Sequence, residues 1–234
     1  MNIDDIRNKL DTVGNVKVIF EPSNYNANRI QKRDLQETLE KSVVSLRGWS
    51  FPLLPIYDKD GSRRPYSIGN GIEFFTDWDK FTEMFRFHQS GQFLARFALF
   101  EDTIGEVRGE KIEPGKYLDF LSLIYKTTEI VLFIKNLIEN TDIESGQLSF
   151  EISKTRDREL ESIFSQNILG FHGGYICGMP EISTQVNFSR EEIFNDPLSV
   201  ARNVIKNIFD DFNWRTYSEG MIQTHQENLV NRRI

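Results

Sequence analysis

The sequence predicts an α+β protein in which a mixed or antiparallel sheet packs against a long central helix and C-terminal helices, and three observations predict it. Runs such as Val16, Val18, Phe20 and Leu148, Phe150, Ile152 place apolar side chains at every second position, the period of a strand with one buried face. Leu118, Leu121, Ile124, Tyr125, Val131, Leu132 and Ile138 make a long segment that is apolar on most of a helix circumference, as a central helix requires. Strands and helices interleave without a regular strand–helix–strand period, which argues against a doubly wound parallel sheet.

In chain order, Ile3, Ile6 and Leu10 recur at helical spacing, and Asp4 and Asp5 suit the positive end of the helix dipole, predicting a helix over 3–12 that Gly14 ends. A strand over 16–20 stops before Pro22, whose ring lacks a backbone donor. Ile30, Leu35, Leu39, Val43 and Leu46 suit a helix over 31–46, although its KSVVSL end reads equally as strand. Gly48 breaks the pattern. RGWSFPLLPIY is then an extended aromatic segment running into the turn Asp58-Lys59-Asp60-Gly61, with 66–75 as its hairpin partner.

Asp77 or Asp79 caps a predicted helix beginning near Trp78, with Phe81, Phe85 and His88 sharing a face until Ser90-Gly91 stops it. A strand over 92–100, a polar loop or short hairpin over 103–116 and the long apolar helix follow. Leu148, Phe150 and Ile152, then Thr184, Val186 and Phe188, alternate as strands around an irregular stretch containing FHGGYICGMP. The end is helical: Val200, Val204, Ile205, Ile208, Phe209 and Phe212 form a stripe after Asp196-Pro197, where Asp caps and Pro fits the first turn. With no repeat, low-complexity tract or long linker, residues 1–234 read as one α+β domain.

Charge bounds the function. The chain carries 28 basic and 35 acidic side chains, net −7, and the excess lies in residues 101–200, with 18 acidic against 9 basic groups. Such a field repels phosphate backbones at long range, so nucleic-acid binding would need a local basic patch. The clusters Arg29, Lys32, Arg33, then Lys59, Arg63, Arg64, then Arg232, Arg233, with Tyr25, Tyr57 and Tyr66 near the first two for base stacking, keep that possibility open. The most apolar stretch, 117–138, holds Asp119, Lys126, Glu129 and Lys135, so no membrane span is expected. The acidic N-terminal residues lack the pattern of a secretory signal, and the expected location is cytoplasmic.

No phosphate-binding glycine loop, dinucleotide fingerprint, nucleophile elbow or zinc-protease motif is present. The opening of Asp58-Lys59-Asp60-Gly61 matches a calcium loop, but Ser62, Arg63 and Arg64 follow where oxygen ligands are needed, so a turn is expected. His88, His172 and His225 are not spaced as ligand pairs, and no metal, cofactor or catalytic set is expected. His172 in FHGGY sits beside two glycines, in a tight turn or near a ligand. Cys177 reads as a buried structural thiol. Asp77, Asp79 and Glu83, with Glu101 and Asp102, could hold Mg²⁺ only if the fold assembled them.

Two constellations point to recognition. Arg47-Gly48-Trp49-Ser50-Phe51-Pro52 packs a cation and two aromatics into six positions, with Trp49 as an anchor. Trp78 through Phe93 gathers Arg86, His88, Gln89, Ser90 and Gln92 at one junction. The candidate binding residues are therefore Arg47, Trp49, Arg63, Arg64, Arg86, His88 and Gln92, on the expectation that their guanidinium groups converge on one exposed surface.

The pieces RGWSFP and FRFHQSGQF, within residues 35–102, resemble a pattern in uncharacterised bacterial proteins in which an R-G-W-x-F-P segment precedes an aromatic helix ending in a Q-S-G-x-F step. That resemblance implies a bacterial host-defence context, phage defence included, or a nucleic-acid-handling one, and brings no catalytic assignment. The expected function is a non-enzymatic subunit or adaptor of a cytoplasmic complex recognising a protein partner. The alternatives are a nucleic-acid-binding module and a metal-dependent nuclease using Glu73, Asp77, His88 or His172.

Overall fold

The computed structural model describes residues 3–54, 65–78, 80–164 and 171–233. Helix α1 (Ile3–Thr12) leads into β1 (Asn15–Pro22), and a loop and a 3-10 turn lead to α2 (Leu35–Ser42). The short strands β2 (Val44–Ser45) and β3 (Ser50–Phe51) precede β4 (Tyr66–Ile68), β5 (Gly71–Trp78), β6 (Phe81–His88) and β7 (Phe93–Ala98). A 3-10 turn (Phe100–Asp102), β8 (Glu106–Val107), β9 (Glu110–Lys111) and β10 (Tyr117–Asp119) introduce α3 (Phe120–Glu139). The rest comprises β11 (Ser145–Ser153), β12 (Glu159–Glu161), β13 (Tyr175–Ile176), β14 (Glu181–Ser189), α4 (Arg190–Asn195), α5 (Pro197–Asp211) and α6 (Glu219–Val230).

Seven strands form one sheet in the order β14-β11-β1-β7-β6-β5-β4, with every neighbouring pair antiparallel. The α+β class holds, in its antiparallel form. Side chains of even number on β1, β11 and β14 and of odd number on β6 and β7 share one face, as the registers Val18↔Phe150, Phe150↔Thr184, Val18↔Ala95 and Phe85↔Ala95 require. Helix α3 lies on that face, flanked by α2, α5 and α6. Its Phe133 meets Phe93 with ring centroids 4.6 Å apart, and Phe51 stands edge-on to Phe85, Phe93, Phe97 and Phe133. Each such buried ring contributes about 1.5–3 kcal/mol by removal from water. On the other face α1 covers β5, β6 and β7 through Ile6, Leu10 and Phe75.

The caps follow the sequence. Asp196 accepts from Ser199 N–H at 2.8 Å ahead of Pro197, and Asp119 accepts from Ser122 N–H at 2.7 Å to start α3. α4 and α6 are additional to the predicted elements. α4 begins in a reciprocal Ser189–Glu192 capping box, and α6 buries Ile222, Gln226 and Leu229.

Three expectations are corrected. Residues 81–88 are a strand, because the two-residue period wins: Phe81, Glu83, Phe85 and Phe87 point toward α3, while Thr82, Met84, Arg86 and His88 point the other way. Hence the aromatic helix implied by the resemblance is strand β6. The RGWSFP segment does not pair with 66–75. Instead β3 pairs with β2 through Val44↔Phe51, and β4 folds onto β5 through Ile68↔Gly71. The predicted helix over 31–46 is shortened to α2, since the β-branched Val43 and Val44 take the extended alternative. The turn predicted at 58–61 lies outside the described residues.

Candidate functional site

At one end of the sheet, where β1 and β6 begin and β7 ends, the strands and α3 leave a cavity of about 680 Å³. That volume suits a drug-sized molecule or a few side chains. Its walls are largely apolar: Val16, Phe97, Leu118, Leu121, Ile130 and Phe150 line the interior. Its mouth is aromatic. Trp49 packs on Phe81 at 5.5 Å, Trp78 stacks on Phe81 from outside at 6.4 Å, Phe81 stacks on Phe100 at 5.4 Å, and Phe164 follows at 5.6 Å. Trp49 and Trp78 are 47% and 61% exposed, unusual for the largest apolar side chain.

Polar groups sit deep within this apolar shell. Glu83, on the core face of β6, is buried, and its Oε1 lies 3.6 Å from Lys126 Nζ on α3. Its Oε2 has no hydrogen-bond partner among the described residues, and neither has the hydroxyl of buried Thr127. Lys126 is steadied over the rings of Phe51 and Phe97 at 5.0 and 4.8 Å.

Glu101 extends from the 3-10 turn after β7 and accepts the Asp119 N–H at 2.7 Å. Burial, then the neighbouring Asp119 carboxylate, pushes its pKa up to about 7. Asp119 is also raised by burial, although N–H donors of Ser122, Ile163 and Phe164 surround it and commit it to capping α3 and anchoring the 163–164 segment. Tyr125 and His225 close the wall, with Tyr125 Oη 3.4 Å from His225 Nδ1. Burial raises the phenol and lowers the imidazole.

The predicted binding residues divide between two sides of the sheet. Arg47 and Trp49 line the cavity together, the guanidinium 5.9 Å from the Trp49 ring. Arg47 is already paired: Nε and Nη2 donate to Glu129 at 3.0 and 2.7 Å. Arg86, His88 and Gln92 lie on the opposite side. Arg86 donates to Glu73 Oε1 at 2.7 Å, His88 Nδ1 faces Asn70 Oδ1 at 3.0 Å, and Gln92 donates to Glu21 at 2.6 Å. Burial, then Arg86, lowers the His88 pKa against the pull of Glu73. Arg63 and Arg64 lie outside the described residues.

The guanidinium groups of Arg47 and Arg86 therefore do not meet: the alternation of β6 sends Arg86 away from α3, whereas Arg47 reaches it. Glu73 and Asp77, offered as nuclease carboxylates, are bound to Arg86 and Arg7, and to Lys9 and Thr82. His172 is exposed, remote in the chain from both. Arg29 is spent on Asp142 and the carbonyls of Ser90 and Asn24, and Lys32 on Gly69. Among the described residues, no group of three or more His, Cys, Asp or Glu side chains could hold a metal, and no helix is long and apolar enough to cross a membrane.

Lys126 and Thr127 are the site residues absent from the sequence-based candidates, and Glu83 and Glu101 figure there only as Mg²⁺ ligands. The signal for Glu83 was present: an acid in phase with Phe81, Phe85 and Phe87 on a strand must be buried. Compared with protein-family models, curated proteins and solved structures, the chain matches none of them.

Proposed function

We propose that this chain is a non-enzymatic binding subunit that recognises a protein partner by taking an apolar, donor-bearing segment of it into the cavity beneath Trp49 and Phe81. The observation that carries the reading is the pairing of an exposed aromatic mouth with buried, unsatisfied polar atoms behind it. An apolar body and a polar head are what such a lining recognises. The exposed Trp49 and Trp78 extend the contact beyond the mouth, as anchors for a partner's surface rather than for a small molecule alone. A cytoplasmic location is part of this proposal. The resemblance of 47–52 and 85–93 directs the search for the partner toward bacterial defence complexes.

Selection of a displayed random peptide library on the intact protein tests this. Selected peptides are expected to lose at least about tenfold in affinity on Trp49→Ala and on Phe81→Ala. They should keep it on Tyr25→Ala, whose ring is exposed away from the cavity lining. Peptides indifferent to both rim substitutions would overturn the reading.

A second reading, an acid–base enzyme working in the same cavity, rests on Glu101. A carboxyl group brought to about 7 in the cavity lining is poised to give and take a proton near neutral pH, as general acid catalysis requires. Glu101→Gln separates the two: a binding subunit keeps its partner, and a catalyst loses turnover while still binding.

A further inference from the structure

The state of the polar atoms in the cavity specifies the head group that enters. Glu83 is only 5% exposed, and its nearest cation, Lys126, stands at 3.6 Å from Oε1, beyond a good hydrogen bond. Oε2 is left with no donor among the described residues. A buried carboxylate oxygen without a donor costs several kcal/mol and is normally satisfied. Thr127, 1% exposed, lines the same cavity with a hydroxyl that is equally without a partner. Both atoms can accept from an incoming N–H, and Glu101 adds a further carboxyl group to the wall.

The lining holds charges of both signs, and the unpaired Glu83 oxygen distinguishes between guests. Three acids line the cavity, Glu83, Glu101 and Asp119, against Arg47, Lys80, Lys126 and Arg233. Arg47 is neutralised by the bidentate contact with Glu129, and Arg233 is exposed. An anionic head would have to settle beside the unpaired Glu83 oxygen, with Lys80 and Lys126 in the lining as its counter-charges and Lys126 already beside Glu83. A cationic head instead supplies the missing donors, and the rings of Trp49, Phe81 and Phe100 along its path offer π faces to a charge carried on an apolar stem.

Resting on the reading that a partner's segment enters this cavity, we propose that the entering group is an ammonium or guanidinium on an apolar stem, a lysine or arginine side chain of a protein partner, with Glu83 as its counter-ion and Thr127 as a second acceptor. The same chemistry makes the cavity selective. A neutral hydroxyl head offers these acceptors a donor without the charge, and a carboxylate adds a third unpaired acceptor.

Three probes of equal length separate the cases: 4-phenylbutylammonium, 4-phenylbutan-1-ol and 4-phenylbutyrate, titrated calorimetrically into the full chain. The ammonium is expected to bind at least about tenfold tighter than the alcohol, with the carboxylate weakest. Glu83→Gln should bring the ammonium down to the level of the alcohol, and Thr127→Val, of the same shape, should weaken it about threefold. Asp77→Asn, on the other face of β5, should change nothing. Circular dichroism confirms that each variant is folded, and Thr127→Val carries the test should Glu83→Gln fail to fold.

Alcohol binding equal to or tighter than ammonium, or a preference that survives in Glu83→Gln, overturns the cation while leaving the cavity reading in place. If none of the three probes binds, both fall.

Discussion

Arg158 and Asp102 meet face to face in the interior, the guanidinium donating from Nη1 to Oδ1 at 2.8 Å and from Nη2 to Oδ2 at 2.6 Å. Arg158 also donates to the carbonyls of Lys154 and Tyr117, and Asp102 accepts the N–H groups of Gly14 and Gly115. This joint fixes the start of β1 and the 3-10 turn that carries Glu101. Burial works against the Asp102 charge, but the Arg158 bonds and charge hold its pKa below the usual range. Removing one partner strands the other, so Arg158→Met and Asp102→Ala should each cost about 3–5 kcal/mol in urea unfolding. The double variant should cost less than the two together, because each single change already breaks the same network.

Gly14 shows how tightly that joint is built. A Cβ there would stand 2.2 Å from Arg158 Nη2 and 2.7 Å from Asp102 Oδ2. Gly14→Ala should therefore destabilise by about 1–3 kcal/mol, although the residue needs no left-handed backbone. A rise in the unfolding midpoint on this substitution would show that the guanidinium yields freely.

Glu101 gives the protein a pH dependence of definite sign. Its pKa is about 7 when folded against 4.5 in an ordinary environment, so the folded state binds more protons between those values. Its contribution is most favourable below pH 4.5 and is lost as pH rises through about 7, on the order of 3 kcal/mol in all. Glu101→Gln, whose amide oxygen still accepts the Asp119 N–H, should flatten the fall in stability between pH 5 and pH 8. Thermal unfolding at a series of pH values measures it. An unchanged slope would mean that Glu101 ionises freely in the folded protein.

Trp49 and Phe51, two positions apart, should respond in opposite ways. Phe51 is fully buried among four aromatic rings, and Phe51→Ala should cost about 3–5 kcal/mol. Trp49 is half exposed, touching Phe81 and Arg47, so Trp49→Ala should cost about 1 kcal/mol or less. Its effect should appear instead in affinity for peptides selected on the wild-type protein. Equal losses of stability at both positions would place Trp49 in the core rather than at a recognition mouth.

Much of the fold was legible where one period dominated. Ile3, Ile6 and Leu10 marked α1, the apolar circumference of 118–138 marked α3, and Asp196-Pro197 marked the start of α5. Legibility failed at 78–88, where Phe81, Phe85 and His88 satisfy a helical step while Phe81, Phe85 and Phe87 satisfy an alternating one. Pairing with β5 and β7, invisible in the local sequence, decides for the strand. That misphasing hid the candidate site. On a helix Glu83 falls on the polar face and reads as a solvated acid, whereas on β6 it shares the core face with Phe85. Arg47 and Trp49 were found because their aromatic context is local. Lys126 and Thr127 were passed over inside α3, since only the tertiary fold shows that a cavity opens beside them.

Arg86 is the sharpest test of that lesson, because a helix would have carried it to the recognition surface and the strand does not. Its guanidinium serves Glu73, which is nearly inaccessible and, among the described residues, has Arg7 at 3.4 Å as its further cation. Arg86→Ala should cost about 1–3 kcal/mol of stability by leaving the Glu73 carboxylate under-satisfied. It should leave 4-phenylbutylammonium binding unchanged, since β6 separates the two faces. Glu73→Gln combined with Arg86→Ala should recover part of the loss, because the charge that needed a partner is gone. An Arg86→Ala protein of normal stability and impaired binding would return the recognition surface to the face that α1 covers.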